Sequence, residues 1–180
     1  HYWLGRYTNA GLGAAYMYED YLQRDDAFDF FGTKRFNFHK HQLRAHIETN
    51  RVEHLFERQE GWKARVYSEW IKTYSDDAPS FLKLQLSGSY YQLIGDRGNL
   101  AGSVRLGTSS NAESPFAPFV LDGFLNVRGI GNRVERGTAE IVVNGEYRHS
   151  LWLHKYVTLQ SAAFFDYGAL REAGKSFNTF

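Results

Sequence analysis

The feature that most restricts what this chain can fold into is strict alternation of apolar and polar residues over long runs. Leu43, Ala45, Ile47 and Thr49 take one side, while Arg44, His46, Glu48 and Asn50 take the other. Trp62, Ala64, Val66, Ser68 and Trp70 oppose Lys63, Arg65, Tyr67 and Glu69 in the same way. A period of two places successive side chains on opposite faces of an extended strand, whereas a helix would scatter both sets around its axis. The pattern returns over 82–91, 100–107, 139–148 and 157–166, and in looser form from Gly11 to Gln23, after a short Tyr2-Trp3-Leu4 segment. Turn residues separate the runs: Arg58-Gln59-Glu60-Gly61, Asp76-Asp77-Ala78-Pro79 and Asp96-Arg97-Gly98-Asn99. Residues 33–42 are basic and aromatic and carry no readable pattern, and 108–137 hold no regular alternation. The expectation is an all-β, antiparallel architecture of about seven strands.

Several of these runs exceed the ~5–6 residues usual in soluble sheets and suit the ~9–11 that cross a bilayer at a tilt. Trp62 and Trp70 share a face, and at about 3.3 Å per residue they stand ~26 Å apart along the strand, or ~19 Å in height at a tilt near 45°. Two interfacial aromatic belts flank an apolar band with a similar separation. The mean hydropathy of −0.49 is no objection, because a membrane barrel alternates apolar and polar residues and averages out polar. With 21 Lys and Arg against 20 Asp and Glu, charge gives no reason to expect a nucleic-acid partner. The absence of cysteine removes disulfides and thiolate metal sites. The pattern alone leaves two architectures open: a transmembrane barrel, or a soluble antiparallel domain with one wet face that binds a ligand.

One stretch stands apart. Gly123-Phe124-Leu125-Asn126-Val127-Arg128-Gly129-Ile130-Gly131 is too glycine-rich for a strand and sets an arginine among small and apolar residues. Gly123 and Gly131 would hinge such a loop, and Gly129 would let its backbone approach a wall closely. Two carboxylates, Glu146 and Asp166, fall on the polar faces of neighbouring strands, so a loop folding inward could bring Arg128 to both. A guanidinium can fork onto carboxylates as an ammonium cannot. The histidines of His39-Lys40-His41 share a face, but no acidic or thiol partner sits nearby, so no metal site is expected. Asn144, His149 and Ser150 form no triad, because strand parity separates His149 from Asn144. No phosphate-binding loop or zinc-protease motif is present, and no cofactor is called for.

The order Val127-Arg128-Gly129, then Glu146-Tyr147-Arg148, then Phe164-Phe165-Asp166-Tyr167-Gly168 resembles the C-terminal half of the BamA/TamA superfamily of outer-membrane barrels. Thr49-Asn50-Arg51 and the Gly61-Trp62 strand start look like the mid-barrel pattern of that family, and the resemblance covers roughly 40–172. Ile130 departs from it, since an aromatic residue is commoner after the Arg-Gly pair. The resemblance implies a transmembrane β-barrel of about sixteen strands, of which 1–180 would be one part, without N-terminal periplasmic domains or the last strands. It implies that 108–137 is a lid loop folded into the lumen, pinned by Val127, Arg128 and Gly129 against Glu146, Asp166 and Gly168. Trp62, Trp70 and Tyr147 would belong to aromatic girdles. The function implied is non-enzymatic: insertion and assembly of outer-membrane proteins in the bacterial outer membrane. Export of a polypeptide, by a two-partner-secretion or patatin-fused relative, is the alternative. The partners implied are the lipid bilayer, a nascent outer-membrane or secreted polypeptide, and accessory subunits or the remainder of the barrel. The lateral seam of such a barrel would lie outside this sequence.

Overall fold

The computed structural model describes residues 2–24, 33–74, 79–111, 118–122, 127–128, 134–172 and 174–179. These form β-strands and no helix: β1 (Tyr2–Trp3), β2 (Thr8–Arg24), β3 (Thr33–Asn50), β4 (Glu53–Leu55), β5 (Arg58–Thr73), β6 (Phe81–Ile94), β7 (Gly98–Ser109), β8 (Phe119–Asp122), β9 (Val134–Gly137), β10 (Ala139–His154), β11 (Val157–Arg171) and β12 (Phe177–Thr179). One antiparallel sheet runs β1-β2-β3-β5-β6-β7-β10-β11-β12, with β4 folded beside β5 and β8-β9 forming a separate hairpin. β1 and β12 end this path and do not pair with each other, so the described sheet is not closed.

The alternation becomes two chemically distinct faces. Ile47, Val66, Leu86, Leu106 and Ile141 lie side by side across five strands, a continuous apolar row on one face. Most of the large side chains of this face are exposed, from Tyr147 at 36% to Leu12 at 81%. Soluble monomers rarely leave so wide an apolar surface open. The opposite face, on which β8-β9 rests, is the inner one. It is laced by ion pairs between neighbouring strands: Lys40 with Glu19, Arg44 with Glu69, Arg65 with Glu48, and Arg105 with Glu140. Glu140 is almost fully buried, and Gln85 Nε2 also donates to its Oε1 at 2.8 Å.

The connections differ at the two ends. At one end the chain turns tightly, at Phe56-Glu57, Gly95–Arg97 and Lys155-Tyr156. At the other, β2 to β3, β5 to β6 and β7 to β10 are joined through 25–32, 74–80 and 110–138. Long loops at one end and short turns at the other are the usual asymmetry of membrane barrels.

Three expectations change. Arg58 to Gly61 is the start of β5 and not a turn; the reversal comes two residues earlier, where Phe56 takes a left-handed conformation (φ 54°). Gly61 then passes so close to Arg51 O that a Cβ would sit 2.0 Å from it, which only glycine permits. Residues 33–42 are the first half of β3. The irregular 108–137 stretch contains β8 and β9, four residues each, too short for periodicity to reveal. The turn expected at 76–79 falls largely outside the described residues.

Candidate functional site

The β8-β9 hairpin seats its apolar side chains on the inner face of β7, β10 and β11. Phe119, Leu121, Val127, Val142 and Leu170 form a buried cluster there. The seat exists because Gly107 has no side chain: a Cβ would stand 2.3 Å from the Phe119 ring and 2.9 Å from Glu140 Cγ. Lys83 caps the same ring from 4.9 Å and donates to Pro118 O at 3.4 Å.

Further along the same segment, Val127 fills a second glycine notch. A Cβ on Gly168 would stand 2.6 Å from Val127 Cγ2 and 3.1 Å from Leu121 Cδ1. Next to it Arg128 forks onto Asp166, with Nε donating to Oδ2 at 2.7 Å and Nη2 to Oδ1 at 2.9 Å. Arg128 Nη1 donates to Glu146 Oε2 at 2.7 Å, and the Arg128 backbone N–H to Asp166 Oδ2 at 3.0 Å. The Asp166 side chain is 2% exposed, Glu146 17% and Arg128 39%. The guanidinium also covers the Phe164 ring from 4.0 Å. Hydrogen bonds to Asp166 first, then to Glu146, hold the arginine's pKa above its already high value. Arg128 therefore stays charged at any physiological pH.

A register change in β10 places both carboxylates on the inner face. Below it His154 pairs with Val157 and Trp152 with Leu159; above it Ser150 pairs with Gln160, leaving Leu151 as an extra residue. That bulge sets Asn144 opposite Asp166 and Glu146 opposite Phe164. A one-residue slip moves a strand's whole side-chain set to the other face. Without the extra residue, Glu146 and Asp166 would point to opposite sides.

Three contributors do not follow from the sequence reading. Asn144 Nδ2 donates to Asp166 Oδ1 at 2.9 Å, Arg148 pairs with Glu146, and Phe164 lies under Arg128. Asn144 and Arg148 flank Glu146 at two-residue spacing, and Phe164 precedes Asp166 by two, so shared parity is the signal that points to them. Gly123, Gly129, Ile130 and Gly131 lie outside the described residues. Trp70 projects from the outer face toward the long-loop end, and Trp62 and Tyr147 from the same face toward the short-turn end.

The Omp85 superfamily domain matches residues 2–180. The chain belongs to the Omp85 superfamily. Its proteins are in general outer-membrane proteins, and the antiparallel sheet with its exposed apolar face and paired inner face is part of an Omp85 β-barrel, not closed over these residues. No curated protein and no solved structure matches this Omp85 chain. Among its described residues no group of three or more His, Cys, Asp or Glu could hold a metal ion.

Proposed function

We propose that the chain is a section of barrel wall in the bacterial outer membrane, in a protein that assists the insertion and assembly of other outer-membrane proteins. Residues 108–137 act as a lid lying in the lumen, and Arg128 locks its tip to Asp166 and Glu146. The observation that carries this reading is the fork of Arg128 onto Asp166 beside the Val127–Gly168 notch. A planar guanidinium held by two carboxylates fixes a loop in direction as well as position. The lock does no chemistry: it holds the barrel's shape while the seam between its first and last strands opens elsewhere. The outward rows face lipid, with Trp70 at one interface and Trp62 and Tyr147 at the other. A nascent outer-membrane polypeptide is the client.

Electrophoretic mobility of the full-length protein, boiled and unboiled, tests this. A compact, fast-migrating unboiled form that needs detergent or lipid is expected, and Arg128→Ala should lower its melting temperature and slow client insertion. A protein folded in plain buffer, or a variant with unchanged melting and unchanged insertion, would contradict it.

A further inference from the structure

The outer face changes character toward the long-loop end. One row across the sheet is apolar: Ala14, Leu43, Trp70 and Leu82 lie side by side on β2, β3, β5 and β6. The next row outward reads Tyr16, His41 and Lys72, and the one beyond it Tyr18, His39 and Tyr74. At about 3.3 Å per residue and a tilt near 45°, each row lies ~5 Å further out than the last.

At the same level apolar side chains turn inward: Phe38, Ile71 and Phe81 are buried on the inner face, beside Gln42, Thr73 and the Lys40–Glu19 pair, while His39, Lys72 and Leu82 face outward. On β3 and β5 the aliphatic and phenylalanine side chains thus point outward up to the Trp70 row and inward beyond it, where the outward positions carry His, Lys and Tyr. Such a phase reversal marks the depth at which the surroundings change from hydrocarbon to headgroups and water.

The two imidazoles are held in place. The Tyr16 hydroxyl lies 2.7 Å from His39 Nδ1, and the Tyr74 hydroxyl 3.0 Å from His41 Nδ1. The Tyr16 ring stacks on His39 at 5.5 Å with an interplanar angle of 8°, and Tyr74 meets His41 edge-on at 5.1 Å. If the hydroxyl donates to Nδ1, the neutral ring carries its proton on Nε2; in the imidazolium, Nδ1–H donates to the hydroxyl oxygen and Nε2–H is also present. In both of these forms Nε2–H is a donor, whereas a neutral ring protonated on Nδ1 would leave Nε2 an acceptor; neither Nε2 nor Lys72 Nζ has a partner among the described residues. Among the described residues the nearest outward carboxylate, Asp20, sits one row further out, opposite Asn37.

We propose that His39, His41 and Lys72 form a site for the phosphate of a lipid headgroup in the leaflet at the long-loop end, with Tyr16 and Tyr74 orienting the imidazoles. Two oriented N–H donors and an ammonium meet the oxygens of a phosphate, and the Trp70 row below meets the start of the acyl chains. Charge complementarity selects an anionic headgroup over a zwitterionic one. The site rests on the reading that this face borders lipid.

The test uses full-length protein in which Trp70 is the only tryptophan, the others being replaced by Phe, reconstituted into phosphatidylcholine vesicles. Quenching of Trp70 by brominated phosphatidic acid is compared with quenching by brominated phosphatidylcholine. A preference for phosphatidic acid on the order of fivefold is expected, falling to parity in His39→Gln/His41→Gln/Lys72→Gln while circular dichroism still reports native strand content. His149→Gln, whose imidazole meets Tyr147 toward the opposite end of the sheet, should leave the preference unchanged. Equal quenching by the two lipids, or loss of preference in His149→Gln as well, would overturn the site. So would removal of the preference by excess inorganic phosphate, which would mean that a free anion and not a headgroup is recognised. Absence of quenching by either lipid would overturn the membrane reading and the site with it.

Discussion

The β8-β9 segment is fastened to the same wall at two places by opposite means. At its root Phe119 and Leu121 are buried with Val142 and Leu170, and the ring fits where Gly107 leaves room. At its tip Arg128 is fixed by four hydrogen bonds to two carboxylates. Apolar burial is worth roughly 25 cal/mol per Å² and has no direction, so the root locates the hairpin without fixing its angle. The fork at the tip has direction, but removing either partner strands a desolvated charge. A fastening that tolerates sliding sits beside one that does not, and the proposed lid role calls on both.

Several changes would separate the two, beginning with the one expected to do most. Deleting Leu151 removes the bulge that sets Glu146 and Asp166 on one face, and should exceed the ~3–5 kcal/mol of breaking a buried pair. The protein should fail to give a compact unboiled form. Arg128→Ala leaves Asp166 uncompensated, for a loss on the order of 3–5 kcal/mol where the site is dry. Urea unfolding in detergent reads that loss, and Arg128→Lys, which keeps the charge without the fork, should recover only part of it. Phe119→Ala empties the root seat for about 3 kcal/mol, yet leaves the Arg128 contacts in place. Proteolytic cleavage within 112–117 should therefore rise more than cleavage near Arg128. Gly168→Ala drives a methyl into Val127, costing about 1–2 kcal/mol as overpacking. Glu146→Gln should be mildest, about 1 kcal/mol, because Asp166 still holds Nε and Nη2. If Phe119→Ala and Arg128→Ala gave the same cleavage pattern, the two fastenings would be one cooperative unit.

The long strands were legible where a single rule applied along their length. Through the middle of β5, β6, β7 and β10 the outward residues are mostly apolar and the inward ones mostly polar, so alternation locates them. β3 was legible only from Leu43 onward. Above that point Phe38 is buried inside and His39 and His41 face out, so the strand continues with its apolar phase reversed. The turn before β5 was misplaced because Gly61 signals a close backbone contact with Arg51 and not a reversal. For the site, the composition of the loop and the parity of Glu146 and Asp166 were readable. The Leu151 bulge that reconciles that parity with the Lys155-Tyr156 turn carries no composition of its own. Asn144 became visible as a partner of Asp166 only once that register was fixed.

The most direct test of the lock is a double-mutant cycle between Arg128→Ala and Asp166→Ala, measured by urea unfolding of the full-length protein in lipid or detergent. A forked pair at this site predicts a coupling energy above about 1.5 kcal/mol. Additive losses, with coupling inside the ~0.3–0.5 kcal/mol scatter of independent sites, would contradict it and leave the lid held by its apolar root alone.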